Sequence, residues 1–200
     1  MQSNLDLNKE ISFKSFKEQV LNDYKLIVTS REASLLGRRE VLSGKAKFGI
    51  FGDGKELPQI ALAKVFQKGD FRSGYYRDQT FMMAINELTL KQLFSGLYAN
   101  TDINEEPMSA GRQMGAHFST VSLNEDGSWK DLINQRNSSS DVSCTGSQMP
   151  RLLGLAQASK LYRKLKTKNK NKFSVNGNEV AWGTIGNAST SEGVFFEVLN

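Results

Sequence analysis

One cysteine, one histidine and no long apolar run set the first limits on this chain of 200 residues. Cys144 cannot close an internal disulfide and has no metal-ligand spacing around it. That excludes a disulfide scaffold and a cysteine-held metal, and it fits a reducing cytoplasm. No stretch reaches the roughly 20 apolar residues that a membrane-spanning helix needs. The opening MQSNLDLNKE is too polar and acidic for a signal or transit peptide. Positive charge is also lacking over most of the chain. The net charge is +5, but Lys160, Arg163, Lys164, Lys166, Lys168, Lys170 and Lys172 alone contribute +7, which leaves −2 for the remainder. The Lys-Asn alternation in that run lacks interleaved aromatics on which bases could stack, so it reads as a solvated helix end and loop, with no nucleic-acid partner.

What is present is periodicity. In residues 12–43, Phe13, Phe16, Val20, Tyr24, Ile27, Val28 and Leu35 recur at spacings of three and four with charges between them, and Gly44 supplies the stop. Gly52, Asp53 and Gly54 read as a turn into a helix over residues 55–67, with Pro58 in its first turn. A strand is expected over 71–76, then helical stretches ending at Ile85 and spanning 89–98. Residues 100–148 hold much Asn, Ser, Gly and Asp and little regular pattern, which marks a functional or disordered loop. Pro150 suits the first turn of a helix running to about residue 166, in which Gly154 and Ala158 put two small residues on one face for close packing. Two hundred residues suffice for one domain that buries roughly 70% of its unfolded surface.

Three places carry chemistry. Residues 179–185 are rich in β-formers and read as a buried strand; a Gly-Asn-Ala-Ser-Thr-Ser turn then leads into a helix capped by Thr190 or Ser191. Such a helix start has unpartnered N–H groups and a partial positive charge, the outline of a phosphate site, though many such joins bind nothing. Arg77 follows the strand over 71–76, where a guanidinium can fork onto a phosphate, and spacing alone favours an ordinary ion pair with Asp78 or Glu87. His117 stands in a Gly-rich loop, where a catalytic and a structural role are both open. Residues 49–55 have the glycines of a phosphate loop, but Glu56 follows Lys55 where Ser or Thr is needed, which argues against a nucleotide.

Four separated segments, GYYRDQT, SAGRQMGAHF, SDVSCTGSQMPRLLGLAQASK and VAWGTIGNASTSEGVFFEVLN, resemble in the same order the alpha chain of thiamine-diphosphate-dependent 2-oxoacid dehydrogenases. The branched-chain (2-oxoisovalerate) enzyme is the closest match, since GRQM followed by a His is its version of that loop. The resemblance implies an α/β fold, a parallel-sheet thiamine-diphosphate-binding domain with helices on both faces and incomplete at its C-terminal side. It divides the chain into an N-terminal helical region, residues 1–46, and the first part of the cofactor domain, residues 47–200.

The resemblance also implies residue roles. Tyr76 and Arg77 stand where the family contacts the cofactor diphosphate, Ser143 and Thr145 in the loop that meets the aminopyrimidine, and His117 in the loop bordering the substrate, as the catalytic residue. Ser147 and Gln148 lie where some members bind potassium. Gly186, Asn187 and Ala188 occupy the family's Gly-Asp/Glu-Gly signature, so Asn187 takes the place of an acidic magnesium ligand, a neutral oxygen for a carboxylate. The signature's downstream Asn would lie past Asn200, so an N-terminal fragment is expected. The implied reaction is oxidative decarboxylation of a 2-oxo acid with transfer of the acyl group to a lipoyl domain. The implied partner is a beta chain, separate or fused, and no membrane. A pyruvate or acetoin dehydrogenase alpha chain, or a non-catalytic phosphate- or nucleic-acid-binding module, are the alternatives.

Overall fold

A computed structural model of the chain describes residues 11–165, 170–174 and 178–200. Helix α1, Phe13–Leu42, opens where the Ser12 hydroxyl accepts the Ser15 N–H at 3.2 Å, and it closes before Gly44, whose φ of +78° a side chain would strain. Its packed face is not the apolar series. Ser30, Ala33, Ser34 and Gly37 are buried, whereas Phe13, Phe16 and Tyr24 are exposed. The reason is proximity: a Cβ on Gly37 would lie 2.3 Å from the Phe51 ring, and Ser30 meets Thr80 at 2.7 Å. Small residues let the helix approach where large ones would hold it off.

Helix α2 covers Glu56–Val65, with Pro58 in its first turn as expected. Strand β1, Phe71–Ser73, is shorter than the expected 71–76, and the next five residues turn into helix α3, Gln79–Ala84. Helix α4, Leu90–Leu97, starts on a reciprocal cap between Thr89 and Gln92. Within residues 100–136 no helix or ladder strand forms; strand β2 is only Asn137–Ser138. Helix α5, Gln148–Lys164, and the short α6, Lys170–Phe173, follow. Strand β3 is Ala181–Gly183; a single 3-10 turn, Ala188–Ser191, precedes helix α7, Gly193–Leu199.

The three strands form a parallel sheet in the order β2-β1-β3. Alternation along the strands separates its faces. Arg72 and Trp182 share one face, against Phe66 and Phe81, whose rings meet edge-to-face at 5.2 Å in a core to which α1, α2 and α3 contribute Ala33, Ala63, Met82 and Met83. Ser73 and Gly183 face α5: the Ser73 hydroxyl donates to the Gln148 carbonyl, and a Cβ on Gly183 would lie 2.5 Å from Leu152. The fold is therefore α/β, with helices on both faces of a parallel sheet.

Three further expectations are corrected. Strand β3 is half-buried at the sheet's edge rather than buried, and Val180 donates instead to Asp70. Neither Thr190 nor Ser191 caps α7; both belong to the 3-10 turn, where the Thr190 hydroxyl donates to the Asn187 carbonyl, and Glu192 is the cap residue. A Cβ on Gly154 would meet nothing within 4 Å, so no close packing requires that glycine, and α5 meets the sheet through Leu152 against Gly183. The loop over residues 100–148, expected to be functional or disordered, folds around buried carboxylates: burial pulls the Glu106 carboxyl up, but the Ser109 hydroxyl and the N–H groups of Gly111, Ser109 and Met108 donate to it and hold it below the ordinary value. In the basic run, Lys166 and Lys168 lie outside the described residues; Lys160, Arg163, Lys164 and Lys170 are exposed. Among the described residues no helix is long and apolar enough to cross a membrane.

Candidate functional site

The site is organised by a guanidinium that the sequence does not advertise. Arg72, only 1% exposed, points from β1 into the protein and donates to Asp78 at 2.7 Å and to Asp141 at 2.9 Å. It also donates to the Ser138 hydroxyl oxygen at 2.6 Å and the Tyr75 carbonyl at 3.1 Å. Burial works against its charge, but the two carboxylates outweigh that and hold its pKa above the ordinary value. Burial pushes the Asp141 carboxyl up, against the pull of Arg72, and the nearby charge of Asp78 adds to the rise.

This cluster shapes the turn over residues 74–78. Asp78 accepts the Tyr75 N–H at 3.3 Å and the Thr184 hydroxyl, while the Gln59 amide donates to the Arg77 carbonyl at 2.9 Å. Gly74 is required here, since a Cβ would lie 2.1 Å from the Arg72 guanidinium. The turn ends β1 early and throws Tyr76 and Arg77 to one side.

They reach a cavity of about 600 Å³ at the C-terminal ends of β1 and β3. Parallel sheets bind ligands at this end. Of the sequence-predicted residues, Tyr76, Arg77, Thr145, Gly186, Asn187 and Ala188 all line it. Arg77 does not form the ion pair with Asp78 or Glu87 that spacing favours, because Asp78 is taken by Arg72. Its guanidinium lies over the rings of Tyr75 and Tyr76, 5.7 and 5.1 Å from their centroids, with one long bond to the Tyr75 hydroxyl at 3.4 Å. Lys55 lines the same cavity from the start of α2. The loop over 49–55 is not a phosphate loop, yet its lysine belongs to the cavity wall.

His117 and Ser143 stand beside this cavity and not on its wall. The imidazole Nδ1 lies 3.1 Å from the Met114 carbonyl, which only accepts, so Nδ1 carries the proton. Nε2 therefore accepts from the Ser143 hydroxyl at 2.6 Å. The ring stacks on Tyr76 with centroids 6.2 Å apart, which connects the pair to the cavity. Ser147 precedes α5 without a side-chain cap bond, and the Gln148 amide donates to the Thr184 carbonyl at 3.0 Å.

The donor set favours an anion over a bare metal. The cavity offers a guanidinium without a carboxylate partner among the described residues, a lysine, hydroxyls and two tyrosine rings, which fit a diphosphate carrying an aromatic group. Among the described residues no cluster of three or more His, Cys, Asp and Glu can hold a metal ion. Asp78 is consumed by Arg72 and Thr184, so Asn187, exposed and without a side-chain hydrogen bond among the described residues, offers the free oxygen. A second cavity of about 190 Å³, walled by Phe71, Trp129, Leu155, Tyr162 and Phe173, is mostly apolar and holds none of the predicted residues.

A family model described as "Dehydrogenase E1 component" matches residues 24–200 of the chain. No curated protein matches it.

Proposed function

We propose, from the premise that this chain belongs to the dehydrogenase E1 component family of thiamine-diphosphate-dependent 2-oxoacid dehydrogenases, that it supplies the cofactor-binding wall of a branched-chain 2-oxoacid dehydrogenase. The observation that carries this reading is the Arg77 guanidinium, without a carboxylate partner among the described residues, in one cavity with Tyr76, Thr145, Gly186, Asn187 and Ala188. Arg77 forks onto the diphosphate, and Lys55 adds a second positive charge at the rim. The Asn187 side chain turns its carbonyl oxygen to magnesium, which accepts neutral oxygens beside those of phosphate and water. Ser143 and Thr145 border the aminopyrimidine.

Bound thiamine diphosphate supplies the nucleophilic carbon and takes up the electrons left as carbon dioxide departs. The chain's own residues do the rest on this side of the site. His117, with its proton fixed on Nδ1, presents Nε2 through the Ser143 hydroxyl, an arrangement able to give or receive a proton beside the substrate. Tyr75 and Tyr76 form an apolar wall that limits water. A beta chain completes the site, a lipoyl domain takes the acyl group, and the helical stretch through residue 46 flanks a cofactor domain over residues 47–200.

The test is a titration of the full-length enzyme with thiamine diphosphate and magnesium, followed by turnover assays with branched-chain 2-oxo acids, pyruvate and acetoin. Saturable cofactor binding with preference for a branched-chain acid supports the reading. Preference for pyruvate or acetoin moves the substrate assignment, and absence of cofactor binding overturns it.

A further inference from the structure

We propose that Arg72 is a positioning residue whose two carboxylates serve separate halves of the site: Asp78 holds the anion-binding turn, and Asp141 holds the loop that carries His117. The inference rests on the cofactor reading above. One guanidinium needs one carboxylate for an ion pair. Here it has two, and all three groups are buried. Pairing with Arg72 alone does not account for the second carboxylate.

Their other bonds do. Asp78 accepts the Tyr75 N–H, which orients Tyr76 and Arg77, and the Thr184 hydroxyl, which ties that turn to the end of β3 just before Gly186 and Asn187. Asp141 accepts the Phe118 N–H at 3.1 Å, and its own N–H donates to the Phe118 carbonyl at 3.0 Å, a two-way clamp on the residue after His117. The same Arg72 side chain meets the Ser138 hydroxyl at the end of β2, from which the chain runs on to Ser143 and Thr145. All the segments that carry the candidate residues are thus referenced to one buried cation.

Asp78→Asn and Asp141→Asn each replace one carboxylate of the same cluster by an amide, so a role in folding alone predicts like effects from both. The proposal expects a split in the complete holoenzyme. Asp78→Asn raises the dissociation constant of thiamine diphosphate about tenfold or more, as for one lost charge-assisted bond, with a smaller fall in kcat at saturating cofactor. Asp141→Asn does the reverse, lowering kcat more than it weakens the cofactor. Amide exchange reads the same division, with the Tyr75 N–H losing protection in the first variant and the Phe118 N–H in the second. Should Asp78→Asn not fold, Thr184→Val removes one bond to Asp78 and leaves the buried charges in place; a wild-type dissociation constant there overturns the proposal. Equal changes in both variants, or unchanged constants in folded protein, also overturn it. Wild-type enzyme that binds no thiamine diphosphate sinks the cofactor reading separately, and the exchange experiment still decides whether Arg72 divides the loops.

Discussion

Replacing Arg77 by Ala should weaken thiamine diphosphate binding by one to two orders of magnitude and leave the fold nearly unchanged. Among the described residues the guanidinium makes no ion pair; it rests on Tyr75 and Tyr76 and has one long bond at 3.4 Å. Losing those contacts costs stability about 1–2 kcal/mol, the worth of a cation over aromatic rings that are buried or half-buried. A charge-assisted bond to phosphate is worth about 1.5–3 kcal/mol, which converts to a roughly ten- to 150-fold rise in dissociation constant. Arg77→Lys keeps the charge without the planar fork, so it should fall between the two. Calorimetric titration of the full-length enzyme with the cofactor measures the constant, and a thermal melt of the same sample checks the fold. An unchanged constant in a normally melting variant would falsify the diphosphate role. A rise confined to KM for the 2-oxo acid would assign Arg77 to the substrate instead.

Three further outcomes follow from particular residues. Asn187→Asp restores a charged oxygen ligand and should lower the magnesium needed for half-saturation of cofactor binding, whereas Asn187→Leu should abolish its magnesium dependence; identical titration curves for wild type and both variants would remove Asn187 from the site. Glu56 accepts both forks of Arg31 at 2.6 and 2.8 Å, and that partner holds its carboxyl down at about 2. Its contribution is therefore complete above about pH 4.5 and lost as pH falls toward 2; the shift bounds it at about 3 kcal/mol, and solvent around Arg31, 45% exposed, reduces that to about 1–2. Urea unfolding of Glu56→Gln should show that loss at pH 7 and converge with wild type near pH 2, and parallel curves across the range would refute it. In Gly52→Ala the new Cβ would lie 2.3 Å from the Arg77 carbonyl oxygen, so the turn must move; a cost of about 1–3 kcal/mol and weaker cofactor binding are expected, and a wild-type melt with a wild-type dissociation constant would refute the close approach.

How much was legible depended on range. The helices over residues 12–43 and 89–98 came out within two residues of α1 and α4 because periodicity and capping are local signals. The packed face of α1 did not, since counting apolar residues ignores size, and the close contact there selects Ser, Ala and Gly. Arg72 went unnoticed because a charged residue in a three-residue strand reads as exposed, and one of the carboxylates that make its burial tolerable is 69 positions away. Lys55 was set aside with a phosphate loop that does not exist; its place on the cavity comes from the docking of α2 against the turn over 74–78, which no local pattern announces. The family segments did point to Tyr76, Arg77, Thr145 and residues 186–188, which meet in one cavity, and to His117 and Ser143, which bond to each other beside it. Their chemical roles await the experiments above.

The sheet order has a consequence for how the chain is made. β1 lies in the middle, yet both its neighbours are synthesised after it: Phe71 pairs with Asn137, 66 residues later, and with Ala181, 110 residues later. At about 5–20 residues per second, the central strand waits roughly 5–20 s on the ribosome for its second partner. Until Asn137 is made both its edges are unpaired, and one edge stays open to the end of that interval; such edges join other chains readily. The cofactor cannot shorten the wait, because the cavity includes Thr184 to Ser189, the stretch that follows β3. Added thiamine diphosphate should therefore protect finished protein without improving the yield of nascent chains, whereas slowing initiation or supplying a holdase chaperone should raise it.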